Sequence, residues 1–273
     1  MSELIGVAST GQSAAFFDLD RTLISGSSAF TLAIEARRAG LIPTGEFARD
    51  AAGAIAFKLF GASDDTSDQV RTRILGAVKG IRQSDLIALD AEVIPKLLDR
   101  VRPEAKRLLD RHRRAGRDTF IVSAAPVEIV EPLANALGMT AGIGTRSALV
   151  DGVYTGELDG PFCYGPGKVE AMQELADWHH YDLSSCYAYS DSASDLPMLE
   201  AVGHPVAVNP DAALERHARR NGWPIVIFSE RTKYVLRRVV TGVGTAGVAV
   251  GGFVAGTRYG RRRTSMVRTL VRR

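Results

Sequence analysis

The sequence predicts an α/β protein: a doubly wound, mainly parallel sheet with a helical segment inserted after its first strand. Three observations carry this expectation. Short apolar runs alternate with stretches of helical spacing along most of the chain. Three of those runs end on polar residues, Phe17 into Asp18, Val122 into Ser123, and Tyr189 into Ser190-Asp191. Between about Ser27 and Leu98 the apolar residues recur at threes and fours, with no alternation of period two. At 273 residues, 45% hydrophobic and 24% charged, the chain suits one large domain or a core with a smaller insert. That composition excludes a collagen, a disordered tail protein and a small disulfide scaffold.

Taken in order, Ala14 to Phe17 reads as a buried strand running into a polar loop at Asp18-Leu19-Asp20. The insert follows. Phe30, Ala33, Ile34 and Leu41, then Ile55 and Leu59, then Ile74, Val78 and Ile81 keep helical spacing, and Asp64-Asp65-Thr66-Ser67 supplies a helix-start signal. Arg102 to Ala115 reads as a helix opened by Pro103 and closed by Gly116. Thr119 to Val122 is the next strand, ending at Ser123, and Val127 to Leu137 is a helix stopped by Gly138. Thr140–Thr145 leads to a hairpin-like region around Asp151-Gly152 and Gly156. Lys168 to Trp178 is helical, Cys186 to Tyr189 a strand, and a further helix reaches Leu199. Pro205–Val208 and Ile225–Phe228 complete the strands around a helix at 211–220.

The net charge of +3 conceals an asymmetry. Residues 229–273 carry eleven Lys/Arg against Glu230 alone, a balance of +10 that leaves residues 1–228 at −7. The basic character belongs to the tail, so the main body is not expected to bind nucleic acid. Cys163 and Cys186 form no Cys-x-x-Cys motif and read as reduced thiols, although counting alone leaves a single bridge open. The first residues, MSELIGVASTGQS, show no secretory pattern, and the main body is expected in the cytoplasm.

In an open parallel sheet the carboxyl ends of the strands share one edge, where ligands bind. Asp18, Asp20, Ser123, Asp191 and Asp195 can therefore converge there, with Lys168 at a helix start facing the same edge. Four carboxylates and one lysine sum to −3, which a partly dry cleft does not tolerate. A divalent cation brings the sum to −1, and oxygen donors select Mg2+ over softer metals. It also neutralises an incoming phosphate. A carboxylate attacking phosphorus gives an acyl phosphate that water hydrolyses, and a second carboxyl two residues along can serve as acid and then base. Lysine and hydroxyl donors hold the phosphate oxygens. The cluster reads as a phosphotransfer site.

Asp18-Leu19-Asp20-Arg21-Thr22-Leu23 resembles the first motif of the haloacid dehalogenase (HAD) superfamily of aspartate-nucleophile phosphatases. Ile121-Val122-Ser123, Gly165-Pro166-Gly167-Lys168 and the run from Tyr189-Ser190-Asp191 to Asp195-Leu196-Pro197 follow in the family's order, over roughly residues 14–228. The position of the insert resembles subfamily IB, which contains the phosphoserine phosphatases. The resemblance implies a Rossmann-like core at 1–26 and 98–228 and a helical cap at 27–97. It implies a Mg2+-dependent phosphomonoester hydrolase working through an aspartyl-phosphate, on a small phosphorylated metabolite such as phosphoserine. By position, Asp18 would be nucleophile and metal ligand, and Asp20 general acid/base, lending its carbonyl to the metal. Thr22 would orient Asp20, Ser123 and Lys168 would bind phosphate, Asp191 would be a metal ligand, and Asp195 would hold the metal water or Lys168. Arg71 is the candidate for the cap arginine that holds a substrate carboxylate. Two positions depart from the phosphoserine phosphatases: Ser27 stands where they carry a glutamate for the substrate ammonium, and Ser123-Ala124-Ala125 replaces Ser-Gly-Gly.

Other signals have plainer readings. Arg71 and Arg73 also suit a solvated helix face. His179-His180 suit a helix end, and Arg111-His112-Arg113-Arg114 reads as an exposed helix face without the aromatics of a nucleic-acid site. Phe57, Leu59 and Phe60 are expected to pack the cap or line an apolar entrance. Val239 to Thr257 has no charged residue, and its six glycines and flanking arginines fit a weak anchor, a segment on anionic lipid, or a flexible tail. The reading leans to a membrane surface, which would make a lipid-phosphate phosphatase the alternative. A receiver-type signalling module uses similar residues, but the insert and the Asp-x-Asp-x-Thr motif argue against it. The intact acidic set argues against a catalytically dead, membrane-tethered scaffold.

Overall fold

The computed structural model describes residues 13–42, 67–228 and 235–237. Its strands are β1 (Ala14–Phe17), β2 (Asp118–Pro126), β3 (Ala141–Thr145), β4 (Ser147–Val150), β5 (Val153–Leu158), β6 (Tyr187–Ser190), β7 (His204–Val208), β8 (Ile225–Ile227) and β9 (Val235–Arg237). β4 and β5 form an antiparallel hairpin. The other strands make one sheet in the order β3-β2-β1-β6-β7-β8-β9. It is parallel through β8, and β9 alone runs antiparallel. The predicted doubly wound α/β architecture is the one observed.

β1 is apolar throughout because helices cover both faces of a parallel sheet, leaving no residue of the strand in water. Phe16 shares an apolar cluster with Phe120, Met172, Ala188 and Leu214 on one face; Phe17 shares another with Leu109, Ile121, Ile129 and Tyr189 on the other. The first face is covered by helices α7 (Pro166–His179), α8 (Leu196–Glu200) and α9 (Ala212–Arg220). The second is covered by α5 (Pro103–Arg114) and α6 (Val127–Ala136). Phe17 lies level with Ile121 on β2 and with Tyr189 on β6, so β1 and β6 end together beside the middle of β2. β1 sits where the connections turn outward in opposite directions, the position at which such sheets bind ligands.

Between β1 and α5 the described residues are helical: α1 (Ser28–Arg38), α2 (Ser67–Val78), α3 (Gln83–Ala88) and α4 (Asp90–Leu98). Val78, Leu86, Val93 and Leu97 join the same apolar cluster as Phe17 and Leu19, so this segment shares one core with the sheet. Backbone bonds from Gly80 to Tyr154, Tyr154 to Ile81 and Gln83 to Gly152 fasten it to the hairpin. Ile55, Phe57, Leu59, Phe60 and the Asp64–Thr66 signal lie outside the described residues. So does 239–257. Among the described residues no helix is long and apolar enough to cross a membrane. Both cysteines are free and buried.

Three expectations need correction. β2 does not stop before Ser123 but runs to Pro126, with its register against β3 shifted between Val122 and Pro126. The small residues Ser123, Ala124 and Ala125 accommodate that irregularity. The sheet also does not end near Phe228. Val235–Arg237, assigned from sequence to the tail at 229–273, pairs with β8. A three-residue strand without flanking alternation leaves no periodic signal. Finally, His112 is not on an exposed helix face.

Arg111, Arg113 and Arg114 are exposed, but His112 turns inward and is buried against Phe17, Tyr187 and Tyr189. The Arg117 Nε–H donates to His112 Nδ1 at 2.9 Å, which leaves Nε2 to carry the ring proton toward the Tyr189 hydroxyl at 2.7 Å. Burial, then the charges of Arg117 and Arg111, push its pKa down from 6.5 to about 4. The unfolded chain therefore takes up a proton in a window where the folded chain does not. Stability should be full above pH 6.5 and fall as pH drops toward 4, by about 2–3 kcal/mol from this group. Urea unfolding of wild type and His112→Gln at pH 7 and pH 4.5 checks this, because the variant should lack that share of the acid sensitivity.

Candidate active site

The site grows from the end of β1. The Asp18 N–H donates to the Tyr189 carbonyl at 2.9 Å, extending the β1–β6 ladder by one residue and fixing the backbone of Asp18 at the sheet edge. Its carboxylate Oδ1 accepts from Lys168 Nζ at 2.7 Å, and the same ammonium donates to Asp195 Oδ2 at 2.9 Å. Asp195 Oδ2 also accepts from the Ser190 hydroxyl at 2.6 Å. Asp18, Lys168, Ser190 and Asp195 are all buried.

Lys168 is held in place by its helix start. Gly165 has φ of 53°, and Pro166 opens α7 with its fixed φ. A Cβ on Gly167 would stand 1.8 Å from the Phe162 carbonyl oxygen, so only glycine lets the turn close beneath Lys168. On the other side, Ser192 caps the short turn at Ala193–Asp195 by accepting from the Ser194 N–H. Asp211 accepts from Ala193 as well as from Ala213 and Leu214 at the start of α9, so one carboxylate braces the loop that carries Asp191 and Asp195.

Charge compensation dominates the electrostatics. Burial alone would push the Lys168 ammonium down, but the Asp18 and Asp195 charges beside it prevail, and its pKa stands above the ordinary value. Burial pushes Asp18 up against the pull of Lys168. Asp191 is pushed up to about 8, first by burial and then by Asp18, while Arg21 opposes the shift. Arg21 Nε lies 2.8 Å from Asp191 Oδ2. Asp20 accepts at Oδ1 from the Ser28 N–H at 2.8 Å, which sets the carboxylate on the first turn of α1. Burial raises its pKa, and the bonds from Ser28 and Ser27 oppose that.

Of the residues singled out from sequence, Asp18, Lys168 and Asp195 are in direct contact. Asp191 feels the charges of Asp18 and Asp195, and Asp20 that of Lys168. Ser123 is buried, and its hydroxyl accepts from the Ala125 N–H at 3.2 Å. Its backbone N–H points at Cys163, whose thiol senses Lys168, Asp195 and Asp18 and is pushed up to about 12 by burial. Thr22 is buried, yet its hydroxyl has no hydrogen-bond partner among the described residues, so the contact that orients Asp20 is Ser28 instead. Arg71 lies on α2 and pairs with Asp68 at 3.1 Å, on an exposed helix face. Sequence reasoning assigned no role to Arg21, Ser28, Ser190 or Asp211. Asp211-Ala-Ala-Leu carries a capping signature, and Ser27-Ser28 stands at a helix start, but their contacts cross between elements. A cavity at the opposite, amino-terminal edge of the sheet is lined by Tyr187, His204, Trp223 and Pro224 and contains none of the clustered aspartates.

Residues 15–200 match the model of the haloacid dehalogenase-like hydrolases, and the chain belongs to that family. It is an enzyme of the phosphatase type within it. A Mycobacterium tuberculosis protein named "probable phosphatase" is 42% identical over 228 residues, covering 82% of this chain and 78% of the relative. Another protein of that organism, named phosphoserine phosphatase SerB1, is 36% identical over 222 residues, covering 79% and 70%. The solved phospho-aspartyl intermediate analogue of phosphoserine phosphatase shares the fold, with a TM-score of 0.54 at 19% identity over 74% of this chain and 89% of that one.

The close approach at Gly167 gives a local test. Gly167→Ala should destabilise the protein by about 1–3 kcal/mol by forcing backbone apart beneath Lys168. Gly76→Ala, in open space on α2, should be neutral or stabilising by up to about 1 kcal/mol. Thermal melts of the two variants compare them directly.

Proposed function

We propose that the protein is a Mg2+-dependent phosphomonoester hydrolase that works through an aspartyl-phosphate on Asp18. The observation that carries this reading is the buried contact of Lys168 with both Asp18 and Asp195 at the carboxyl end of β1. It presents a carboxylate at the sheet edge with a fixed cation beside it, the arrangement a phosphoryl group needs.

The donor set suits magnesium. Asp195 Oδ1 is buried without a hydrogen-bond partner, and Asp191 is a carboxylate that burial and its neighbours make costly to ionise. Among the described residues no three His, Cys, Asp or Glu side chains form a ready cage. Mg2+ does not need one, since it takes one or two carboxylates and keeps several waters. Asp18, Asp191 and the Asp20 carbonyl would hold it, Asp195 would hold its water or Lys168, and the cation would offset phosphate charge during transfer.

The residues then divide the work. Lys168 and Ser123 orient the phosphoryl oxygens. A carboxylate oxygen of Asp18 attacks phosphorus as the bond to the leaving oxygen breaks, and Asp20 gives that oxygen its proton. Asp20, now a carboxylate, takes a proton from water as the water attacks phosphorus. The phosphorus–Asp18 bond breaks, releasing inorganic phosphate and restoring Asp18. The helices of residues 27–97 would serve as the cap, closing the site against bulk water and choosing the leaving group.

The substrate is proposed as a small phosphorylated metabolite, with phosphoserine the first to test. The name of the SerB1 relative supports that choice. Ser27 argues for breadth beyond it: its hydroxyl caps α1 by accepting from the Phe30 N–H, and it carries no charge for a substrate ammonium.

Phosphate release from an aryl phosphate and from phosphoserine tests the reading. Asp18→Asn should lower turnover at least about a thousandfold with the fold retained. Chelation with EDTA should abolish turnover and added Mg2+ restore it. Undiminished hydrolysis by Asp18→Asn would remove Asp18 from the mechanism.

A further inference from the structure

Arg21 directly follows the two aspartates of the first motif and has no role in the reaction derived above. Its backbone is left-handed, with φ of 61°, unusual for a residue with a side chain. The Arg21 N–H donates to the Gly26 carbonyl at 3.1 Å, and Arg102 donates to Leu23 just beyond, so the loop is tied down at both ends. From this turn the side chain crosses to Asp191, with Nε 2.8 Å from Oδ2. The two partners are unequal. Asp191 is 6% exposed, whereas Arg21 is 58% exposed. The guanidinium can therefore turn into water at little cost, but the carboxylate it leaves would be buried without a counter-charge.

Lys168 cannot fill that place, because it is buried and already shared by Asp18 and Asp195. Among the described residues the site thus has one fixed cation and one tethered, exposed cation, and the exposed one rests on the carboxylate assigned to the metal. We propose that Arg21 is the resting counter-ion of Asp191 and is exchanged for the divalent cation when the site loads. This rests on the metal assignment made above. Loading is then a substitution of one positive charge by another, and Arg21 weakens the apparent affinity for Mg2+ while keeping the metal-free loop folded. The left-handed turn sets the start of the side chain that reaches Asp191.

Calorimetric titration of the full chain with Mg2+ and with Mn2+, and melting curves in EDTA, give readouts independent of turnover. Arg21→Gln keeps a polar side chain and removes the charge, and Arg21→Lys keeps the charge. Arg21→Gln should bind the cation about three- to tenfold more tightly than wild type, the scale of losing one competing charge at a partly exposed site. It should also melt lower in EDTA, with the gap closing when Mg2+ is added. Arg21→Lys should stay near wild type in both measurements. Equal or weaker cation binding by Arg21→Gln would overturn this inference alone. Absence of binding to all three proteins would overturn the metal assignment, and the inference with it.

Discussion

A buried lysine shared by two aspartates from distant parts of the chain is the interaction around which this protein is organised. Carboxylates gathered at one sheet edge repel one another, and burial raises the cost of keeping each ionised. Lys168 answers that cost for Asp18 and Asp195, and Arg21 offsets part of it for Asp191. Removing either partner of the buried pair would strand a charge in a dry place, which is why β1, the start of α7 and the loop after β6 must be placed together. Gly167, Pro166 and the Asp211 brace are best understood as means of holding these backbones close enough.

The helical segment after β1 is bound into the same argument. Asp20 reaches Ser28 at the first turn of α1, so the acid/base candidate is positioned by the segment that would cover it. Farther on, Gln83 of α3 donates to Glu128 of α6, and backbone bonds join residues 80–83 to the hairpin. Gly142 and Gly144 of β3 let α6 lie directly on the strand, where a Cβ would come within 2.5 and 2.6 Å of the helix backbone. Core and segment share one apolar cluster, so a shift of one is felt by the other.

Helical spacing and apolar runs located most elements to within a residue or two, because burial on one face or on both imposes a period that residue types report. The exceptions have identifiable causes. β9 is too short to show a period, and the end of β2 is irregular. His112 sits among arginines, so its neighbours advertise a solvated face while its own position on α5 points to the core. Arg71 shows the converse. Its place in the insert suggested a role in the site, yet its partner is Asp68 on its own helix.

Residue identity and order determined the family, the sheet with its helical insert, and the acidic set with its lysine, because a strand end followed by a carboxylate is a local signal that survives without coordinates. Tertiary structure decided which of those groups touch. It placed Lys168 between Asp18 and Asp195, gave Asp20 to Ser28 rather than to Thr22, set Arg21 on Asp191, and turned His112 inward. Those pairings span separate elements, and no spacing along the chain encodes the distance between side chains that only the packed sheet and its helices bring into contact.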